Sequence, residues 1–379
     1  MEKEALSLMN SGYNVFLLCY TSLDKKVEET YKGININRFK INKFIRNKLF
    51  GLYHILPIYR LIWTFHIKRF IKKNKISVLH IHDLPLTNIG VKFKQKQNLK
   101  LVCDQHEFYS NWIGQTATYK TKIGRIIKKF SDWELYEKEL LPQADFVITV
   151  SERLKQSYIN KVGIPARKII NIPNTPSRST FDKENIDKDI LEKYSHQFVI
   201  FYVGGVTELR GLSLVIKSLH KISKQIRNIK LVIAGDGNFL QELKKLSLKE
   251  NVQDFVEFLG YVSHQKIPTY IKASDVCIFT PPSFNDEINR TIATKIYQYL
   301  IMGKPIIVSN VTMMKNFVEE NRLGFAVNGS DTSEFEKAVS KIYNNPKLVE
   351  TIAENAKKIN QNYYWEDTSK ILIEYYNKL

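Results

Sequence analysis

A helix that leads directly into a buried strand constrains the fold of this chain more than any other stretch. Apolar residues recur at helical spacing from Ile296 to Met302, and Gly303 then ends the helix. Pro305 follows and opens the β-branched run 306–308, which is typical of a buried strand. Just upstream, residues 275–280 form a second buried strand that ends at two prolines. Strand, polar loop, helix and strand make one crossover unit, which predicts an α/β fold with a parallel sheet.

Further strand-to-helix units precede this stretch. Residues 198–203 form an apolar strand that runs into Gly204 and Gly205, and Arg210-Gly211 then leads into an amphipathic helix from Leu212. Two more strands, each ending at glycine, are predicted within 231–237 and 255–261. Ligands of open parallel sheets bind where loops leave the carboxyl ends of strands. The polar loop 283–294 is therefore a candidate ligand-binding segment.

This order of motifs resembles the nucleotide-binding half of the family 4 glycosyltransferases, which have the two-domain GT-B architecture. The resemblance implies two Rossmann-like, doubly wound domains facing a cleft, with an acceptor-side domain at 1–176 and a nucleotide-sugar domain at 177–364. A last helix at 365–379 would pack back on the first domain. In the resembled family a strand and a glycine-containing loop precede the first helix, and here Glu2–Asn10 already reads as that helix. The first strand is therefore missing, which predicts unpaired neighbouring strands and a start upstream of Met1 or a truncated chain.

Length and composition indicate a globular protein. The 379 residues give room for two domains, and 44% hydrophobic with 25% charged residues argues against disorder. The three cysteines, Cys19, Cys103 and Cys277, lie far apart in apolar runs, which predicts reduced thiols in the core. No apolar run reaches the roughly 20 residues of a membrane-spanning helix, and the charged start is unlike a signal peptide.

The net charge of +19 lies almost entirely in the first half of the chain. Through Ile170 there are 30 Lys and Arg against 14 Asp and Glu, and the remainder has 27 against 24. No nucleic-acid-binding motif accompanies this excess. Between Lys40 and Lys75, basic residues alternate with aromatic and aliphatic ones, as in segments that bind anionic membrane surfaces. A solvated helix face explains the pattern equally well.

Polar side chains follow two predicted strands of the first half. His80, His82 and Asp83 come at the end of one strand, and strand alternation places both histidines on the same face. No third ligand stands at a metal-binding spacing, which favours a polar cleft wall over a metal site. The next strand ends in Asp104 and His106. Its Asp-x-His-Glu sequence resembles a signature of one branch of the family, which implies that His106 lies beside the donor sugar; the alternative is a histidine that merely shapes the loop.

The second half contains residues suited to a diphosphate. Gly204 and Gly205 allow close approach of the backbone, and the helix from Leu212 offers free N–H groups and a positive dipole end. The resemblance implies that Arg210 takes the place of the basic residue in the family's phosphate-binding pair, with Lys295 as the second cation. Two such cations would replace a metal ion, so no metal and no further cofactor is predicted.

One departure from the family pattern concerns two glutamates that the family carries eight positions apart. Counted from Gly303-Lys-Pro, the second position is Gln298 and the first is Arg290. Gln298 can still hydrogen-bond a ribose through a neutral amide, and Asp286 or Glu287 could supply the sugar-facing carboxylate. This departure supports an alternative, a catalytically inactive glycosyltransferase-like partner subunit of a glycan-assembly complex.

The resemblance implies a retaining, metal-independent glycosyltransferase that moves a sugar from a UDP- or GDP-linked donor to a glycan or lipid-linked acceptor in cell-surface polysaccharide synthesis. His106, Arg210 and Glu287 are the predicted catalytic residues. The predicted donor-binding residues are Gly204, Gly205, Arg210, Asp286, Lys295 and Gln298. We expect a cytoplasmic protein without a nucleic-acid partner, and the basic segment adds the alternative of peripheral binding at the inner face of the plasma membrane.

Overall fold

The computed structural model describes residues 1–23, 25–115, 130–181, 186–282 and 288–379. The chain divides into two compact units. The first contains Met1–Pro173 and Ser369–Leu379, and the second contains Asn174–Thr368. The sequence places the corresponding boundaries after residues 176 and 364.

The first unit contains two sheets. Its strands are β1 Phe16–Thr21, β2 Glu28–Tyr31, β3 Ile34–Lys40, β4 Val78–His82, β5 Lys100–Gln105, β6 Phe146–Thr149 and β7 Ile169–Asn171. One sheet has the order β1-β3-β2, in which β2 is antiparallel to β3, and the other is the parallel sheet β4-β5-β6-β7. The sequence had not predicted β2, because Glu28–Tyr31 is short and carries little apolar character.

The helices of this unit cover its strands. They are α1 Glu2–Asn10, α2 Lys43–Gly51, α3 Ile58–Asn74, α4 Thr87–Gln97, α5 Tyr109–Gln115, α6 Phe130–Leu140 and α7 Glu152–Val162. The basic segment is helical on both sides of Pro57. Trp112 lies within α5 and not in the loop that the sequence predicts there. Residues 116–119 of that loop lie outside the described residues.

Strands β1 and β4 each pair along one edge in the described part of the first unit. The partner of β1 is β3, and the partner of β4 is β5. The apolar residues Phe16–Tyr20 of β1 are only partly buried, whereas Leu101–Gln105 of β5 are fully buried. A strand with neighbours on both sides loses more solvent contact than one with a free edge. Within the described residues, β1 and β4 are therefore edge strands of their sheets.

The second unit contains one six-stranded parallel sheet. Its strands are β8 Phe198–Val203, β9 Ile229–Ala234, β10 Val256–Gly260, β11 Val276–Phe279, β12 Ile306–Ser309 and β13 Gly324–Val327. The order is β10-β9-β8-β11-β12-β13, so the direction of strand addition reverses between β8 and β11. In sheets of this kind, the loops at the carboxyl ends of those two strands border the ligand crevice.

The named helices of the second unit are α8 Lys188–Tyr194, α9 Leu212–Gln225, α10 Leu240–Lys249, α11 Ile267–Ala273, α12 Thr294–Ile301, α13 Thr312–Glu320, α14 Thr332–Tyr343, α15 Pro346–Ile359 and α16 Trp365–Tyr376. Five of them, α9 to α13, connect successive strands of the parallel sheet, whereas α8 precedes β8 and α14 to α16 follow β13. Helix α16 starts in the second unit and ends in the first. The segment 177–195, predicted as a polar linker, contains α8 near its end. None of the helices within the described ranges is both long and apolar enough to cross a bilayer.

Candidate active site

Two cations meet at the carboxyl ends of β8 and β11. Lys295, in the first turn of α12, places its ammonium nitrogen 4.3 Å from the centre of the Phe279 ring. Arg210 lies just before α9, and its guanidinium carbon is 5.7 Å from the same ring centre. The direction of strand addition reverses between these two strands, so the cations occupy the expected ligand position.

Gly204 is required because Lys295 passes directly over it. A Cβ atom at this position would lie 2.7 Å from the Lys295 ammonium nitrogen, and the glycine φ of +133° is one that other residues rarely adopt. The Gly204 N–H donates a 2.9 Å hydrogen bond to the Ala234 carbonyl at the end of β9. Gly205 has open space around its Cα, with nothing within 4 Å of an added Cβ. The two glycines therefore admit a cation and a ligand to the strand end.

The ammonium of Lys295 lies close to two aromatic rings. Its nitrogen is 3.9 Å from the centre of the Tyr202 ring and 4.3 Å from the centre of the Phe279 ring. Burial lowers the pKa of Lys295 well below its usual range, and the positive charge of Arg210 lowers it further. In the described ranges, no carboxylate offsets these two effects. An anion bound here would relieve the repulsion, so the pair of cations suits an anionic ligand.

Arg210 also has an unused hydrogen-bond donor. Its Nε is buried without a partner among the described residues. Helix α9 begins two residues later, and Gly211 before it has no side chain to cap the helix. The first N–H groups of a helix carry a partial positive charge and bind phosphate oxygens well. Cations, uncapped helix end and glycine loop therefore point to a phosphate-bearing ligand.

Three other predicted donor-side residues have different outcomes. Gln298 lies one turn after Lys295 on α12 and is partly buried, so the two side chains lie on one face of the helix. Asp286 and Glu287 lie outside the described residues. The structure therefore brings together Gly204, Gly205, Arg210, Lys295 and Gln298 and leaves the two predicted carboxylates untested.

His106 lies in the first unit, just after β5. Its Nε2 is 3.4 Å from a carboxylate oxygen of Asp104, and 39% of its side chain is exposed. The Asp104 carboxylate raises the pKa of His106 to about 9, against the opposing effect of burial. At neutral pH the imidazole is therefore protonated and carries two N–H donors. The contact with Asp104 fits the alternative of a histidine that shapes the loop, and the accessible ring also suits a ligand contact.

Asp104 is the centre of a larger cluster. It is 1% exposed, and the imidazoles of His80, His82 and His106 all lie close to one of its oxygens. Burial alone would favour the neutral acid, but the three imidazoles outweigh this effect and hold the pKa of Asp104 well below its usual range. His82 and Asp104 are direct partners in the parallel β4–β5 ladder. Sequence spacing could not show that Asp104 lies beside His80 and His82, because Asp104 comes from the neighbouring strand.

Several functional neighbours could not be identified from sequence patterns. Tyr202 and Phe279 form the aromatic walls around Lys295, but in sequence each is one more apolar residue of a buried strand. Glu137 accepts hydrogen bonds from the backbone N–H and the hydroxyl of Ser110, which follows the His106 loop. Tyr158 donates a 2.9 Å hydrogen bond to the Glu107 carbonyl in that loop. These contacts join residues that are 27 and 51 positions apart.

Two family models match this chain, and together they cover nearly all of it. Residues 4–175 match the model described as glycosyltransferase family 4, and residues 183–359 match the model described as glycosyl transferases group 1. Alpha-D-kanosaminyltransferase of Streptomyces kanamyceticus is 24% identical over 251 residues, which are 65% of this chain and 62% of that protein. Alpha-monoglucosyldiacylglycerol synthase of Acholeplasma laidlawii is 22% identical over 375 residues, 94% of this chain and 86% of that protein.

The fold comparison gives the same assignment. The crystal structure of Anabaena Alr3699/HepE in complex with UDP matches with a TM-score of 0.70 and 15% identity, covering 97% of this chain and all of that one. At this identity the match shows the fold alone. With the two family models, it confirms the predicted GT-B class of two Rossmann-like units. The chain therefore belongs to the family 4, group 1 glycosyltransferases, and it is an enzyme of glycosyl transfer.

Proposed function

We propose that this enzyme is a retaining, metal-independent glycosyltransferase that uses a nucleoside-diphosphate sugar. Its acceptor is a glycan or a lipid-linked glycan in cell-surface polysaccharide synthesis. The observation that carries the proposal is the meeting of Arg210 and Lys295 beside Gly204 and the start of α9. Two neighbouring cations with a depressed lysine pKa suit a ligand with two negative groups better than a neutral one.

In this proposal the donor site acts mainly on the leaving diphosphate. Charge accumulates on the phosphate oxygens as the glycosidic bond breaks, and preorganised donors at that position lower the barrier. Arg210 supplies a forked pair of N–H groups, and Lys295 supplies a second charge, so that no metal ion is needed. A phosphate oxygen of the leaving group takes the proton of the acceptor hydroxyl. The acceptor oxygen then bonds to the anomeric carbon on the face from which the diphosphate departs.

The remaining predicted residues recognise the rest of the donor. His106 holds the sugar, Gln298 hydrogen-bonds the ribose, and Asp286 or Glu287 binds sugar hydroxyls. Support for the substrate class comes from the relatives: HepE has been solved with UDP and with UDP-glucose, and the Acholeplasma enzyme is named for a glucosyl lipid. A nucleotide-sugar donor and a glycan or lipid acceptor are thus consistent with the family.

Replacement of Arg210 tests the proposal directly. The wild type is incubated with UDP- and GDP-sugars and lipid-linked acceptors, and release of the nucleoside diphosphate is measured. Arg210→Ala should reduce kcat/KM by about 100-fold or more, because a charge-assisted phosphate contact is lost. Arg227→Ala is the matched control, since Arg227 is exposed near the other end of α9. An unchanged rate in Arg210→Ala would refute the phosphate role.

Two further measurements address the stereochemistry and the metal. The anomeric configuration of the new glycosidic bond in the product, read by proton NMR, should match that of the donor sugar. Turnover should be unaffected by a chelator that removes divalent ions. An inverted product would exclude the retaining mechanism, and a loss of activity that Mg²⁺ or Mn²⁺ restores would exclude diphosphate neutralisation by Arg210 and Lys295 alone.

We also propose that α2 and α3 bind an anionic membrane surface, which would place the enzyme at the inner face of the plasma membrane. Residues 40–75 contain ten Lys and Arg and no Asp or Glu. One face of α3 is buried in the core through Tyr59, Trp63, Ile67 and Ile71. Other apolar side chains of the same segment are exposed: Phe44 at 65%, Ile45 at 52%, Ile55 at 56%, Ile58 at 44%, Leu61 at 60% and Phe65 at 56%. Exposed apolar residues among basic ones suit the interface of an anionic bilayer.

Liposome sedimentation tests the membrane proposal. The wild type should bind vesicles that contain anionic lipid, bind neutral vesicles weakly, and dissociate as salt rises. Leu61→Ser combined with Phe65→Ser should lower binding, whereas Leu248→Ser, at a residue 61% exposed in the second unit, should not. Failure of the wild type to bind anionic vesicles at low salt would refute this part of the proposal.

A further inference from the structure

Two histidines and one aspartate converge at the carboxyl ends of β4 and β5. His80 and His82 are two residues apart on one strand, so their rings share a face, and the ring centres are 4.7 Å apart. Asp104 is the direct partner of His82 on the neighbouring strand. One ligand-type atom from each residue can be chosen so that all three lie within 4.8 Å of one another.

The separations fit the coordination shell of a small metal ion. Oδ2 of Asp104 lies 3.0 Å from Nδ1 of His82 and 3.8 Å from Nε2 of His80. Ligand atoms about 2.1 Å from a tetrahedral zinc ion are separated by about 3.4 Å from each other. The two distances to Oδ2 of Asp104 lie on either side of that value.

His106 also approaches the converging atoms, because its Nε2 lies 3.4 Å from Oδ2 of Asp104. Neither oxygen of Asp104, which is 1% exposed, has a hydrogen-bond partner in the described part of the chain. Nε2 of His80 and Nδ1 of His82 are also buried and unsatisfied there. Unsatisfied buried polar groups are costly and rare, and here they converge on one point.

The opposite nitrogens of the two histidines have partners of their own. Nδ1 of His80 lies 2.7 Å from the Tyr376 hydroxyl, and Nε2 of His82 faces a Glu4 carboxylate oxygen at 3.7 Å. In protein metal sites, the nitrogen that does not bind the metal commonly contacts a carboxylate or another oxygen, which fixes the ring and its tautomer. The cluster thus has both an inner set of ligand atoms and an outer set that orients them.

We propose that His80, His82 and Asp104 form a binding site for a divalent transition metal, Zn²⁺ above all, with water as the fourth ligand. Two imidazoles and one carboxylate favour zinc over Mg²⁺ or Ca²⁺, which prefer oxygen ligands. The side chains of His80 and His82 are 16% and 21% exposed, which leaves a path for the ion. The site lies in the first unit, next to His106, and it holds the ends of β4 and β5 together.

The test begins with the full chain, stripped of metal by a chelator that is then removed. Calorimetric titration with Zn²⁺ should show one tight site per chain, and binding should raise the melting temperature. Co²⁺ in its place should give the intense visible absorption of a tetrahedral ion. A wild type that takes up no Zn²⁺ at micromolar concentration, or a bound Co²⁺ without that spectrum, would overturn the proposal.

Variants then locate the ion. His82→Ala should weaken Zn²⁺ binding at least 100-fold, whereas His220→Ala, at an exposed position on α9, should leave it unchanged. Glu4→Gln should weaken binding about 10-fold or more, because an outer partner is lost while the three ligands stay. Circular dichroism confirms that each variant is folded, and Glu4→Gln keeps the test decisive if His82→Ala does not fold. Unchanged affinity in both variants would refute the site. These readouts need no donor or acceptor, so they are independent of the proposed transfer reaction.

Discussion

Replacement of Glu137 by glutamine should remove a pH dependence from the stability of the first unit. The Glu137 side chain, on α6, is fully buried. The Ser110 hydroxyl donates a 2.5 Å hydrogen bond to its carboxyl group, and the Tyr158 hydroxyl donates one of 3.3 Å. Burial raises the pKa of Glu137 to about 7, although these hydrogen bonds lower it. The folded protein therefore keeps this carboxyl protonated well above the pH at which the unfolded chain releases the proton.

The size and sign of the effect follow from the two pKa values. The unfolded chain releases the Glu137 proton near pH 4.5, and the folded chain releases it near pH 7. Between these values the folded state binds one proton more than the unfolded state, so the free energy of unfolding falls as pH rises. The slope is about 1.4 kcal/mol per pH unit, which gives a loss of about 3 kcal/mol across the window. Below the window the full stability is present, and above it the loss is complete.

Urea unfolding at a series of pH values between about 4.5 and 8 measures this difference. Tryptophan fluorescence follows the transition, with Trp133 buried one turn from Glu137 on α6. As pH rises across this range, the free energy of unfolding of the wild type should fall by about 3 kcal/mol relative to that of Glu137→Gln. Glu134→Gln, at an exposed position of the same helix, should follow the wild type. A constant difference between wild type and Glu137→Gln at every pH would refute the argument.

Three other substitutions have defined outcomes. Gly235→Ala would place a Cβ atom 1.9 Å from the Gly204 carbonyl oxygen. Thermal denaturation should therefore show a free energy of unfolding lower by about 2–4 kcal/mol, and calorimetry should show a loss of nucleotide binding. A variant as stable as the wild type would contradict this. Ser151→Ala removes the hydroxyl that accepts a hydrogen bond from the Leu154 N–H at 3.1 Å. Urea unfolding should show a free energy of unfolding lower by about 1 kcal/mol, and an unchanged value would contradict a capping role. Gln298→Glu exchanges a neutral acceptor for a charged one, which should lower the donor KM about fivefold. An inactive wild type that gains turnover on this exchange would instead identify a lineage that had lost catalysis.

The local order of strands and helices could be predicted from sequence because each element carries its own signal. The strand at 198–203, the glycines after it and the helix from Leu212 lie where the pattern places them. The same holds for the α12–β12 connection, where Gly303 and Pro305 mark the transition. Arg210 and Lys295 could be paired in advance because the order of motifs resembles that of the family, and the parallel sheet places both residues at the carboxyl ends of β8 and β11.

Contacts that depend on register or distant packing could not be predicted. Asp104 meets His82 because β4 and β5 pair in one particular register, and neither strand encodes that register alone. The hydrogen bond from Ser110 to Glu137 needs α5 and α6 to be packed together first. Tyr202 and Phe279 line the cation site by facing one end of the sheet, but the alternation of a fully buried strand is not visible in a run of uniformly apolar residues.

Calorimetric titration of nucleotides into the purified chain tests the proposed donor site most directly. UDP and GDP are the ligands and AMP is the control, with wild type, Lys295→Met and Lys217→Met as the proteins. Lys217 is exposed on α9, so its replacement changes the net charge equally without touching the site. One of the two nucleoside diphosphates should bind wild type and Lys217→Met with the same affinity. It should bind Lys295→Met at least about tenfold more weakly, because one phosphate contact is lost. A folded wild type that binds neither, or equal affinity in Lys295→Met, would contradict the assignment of Arg210 and Lys295 to the donor diphosphate.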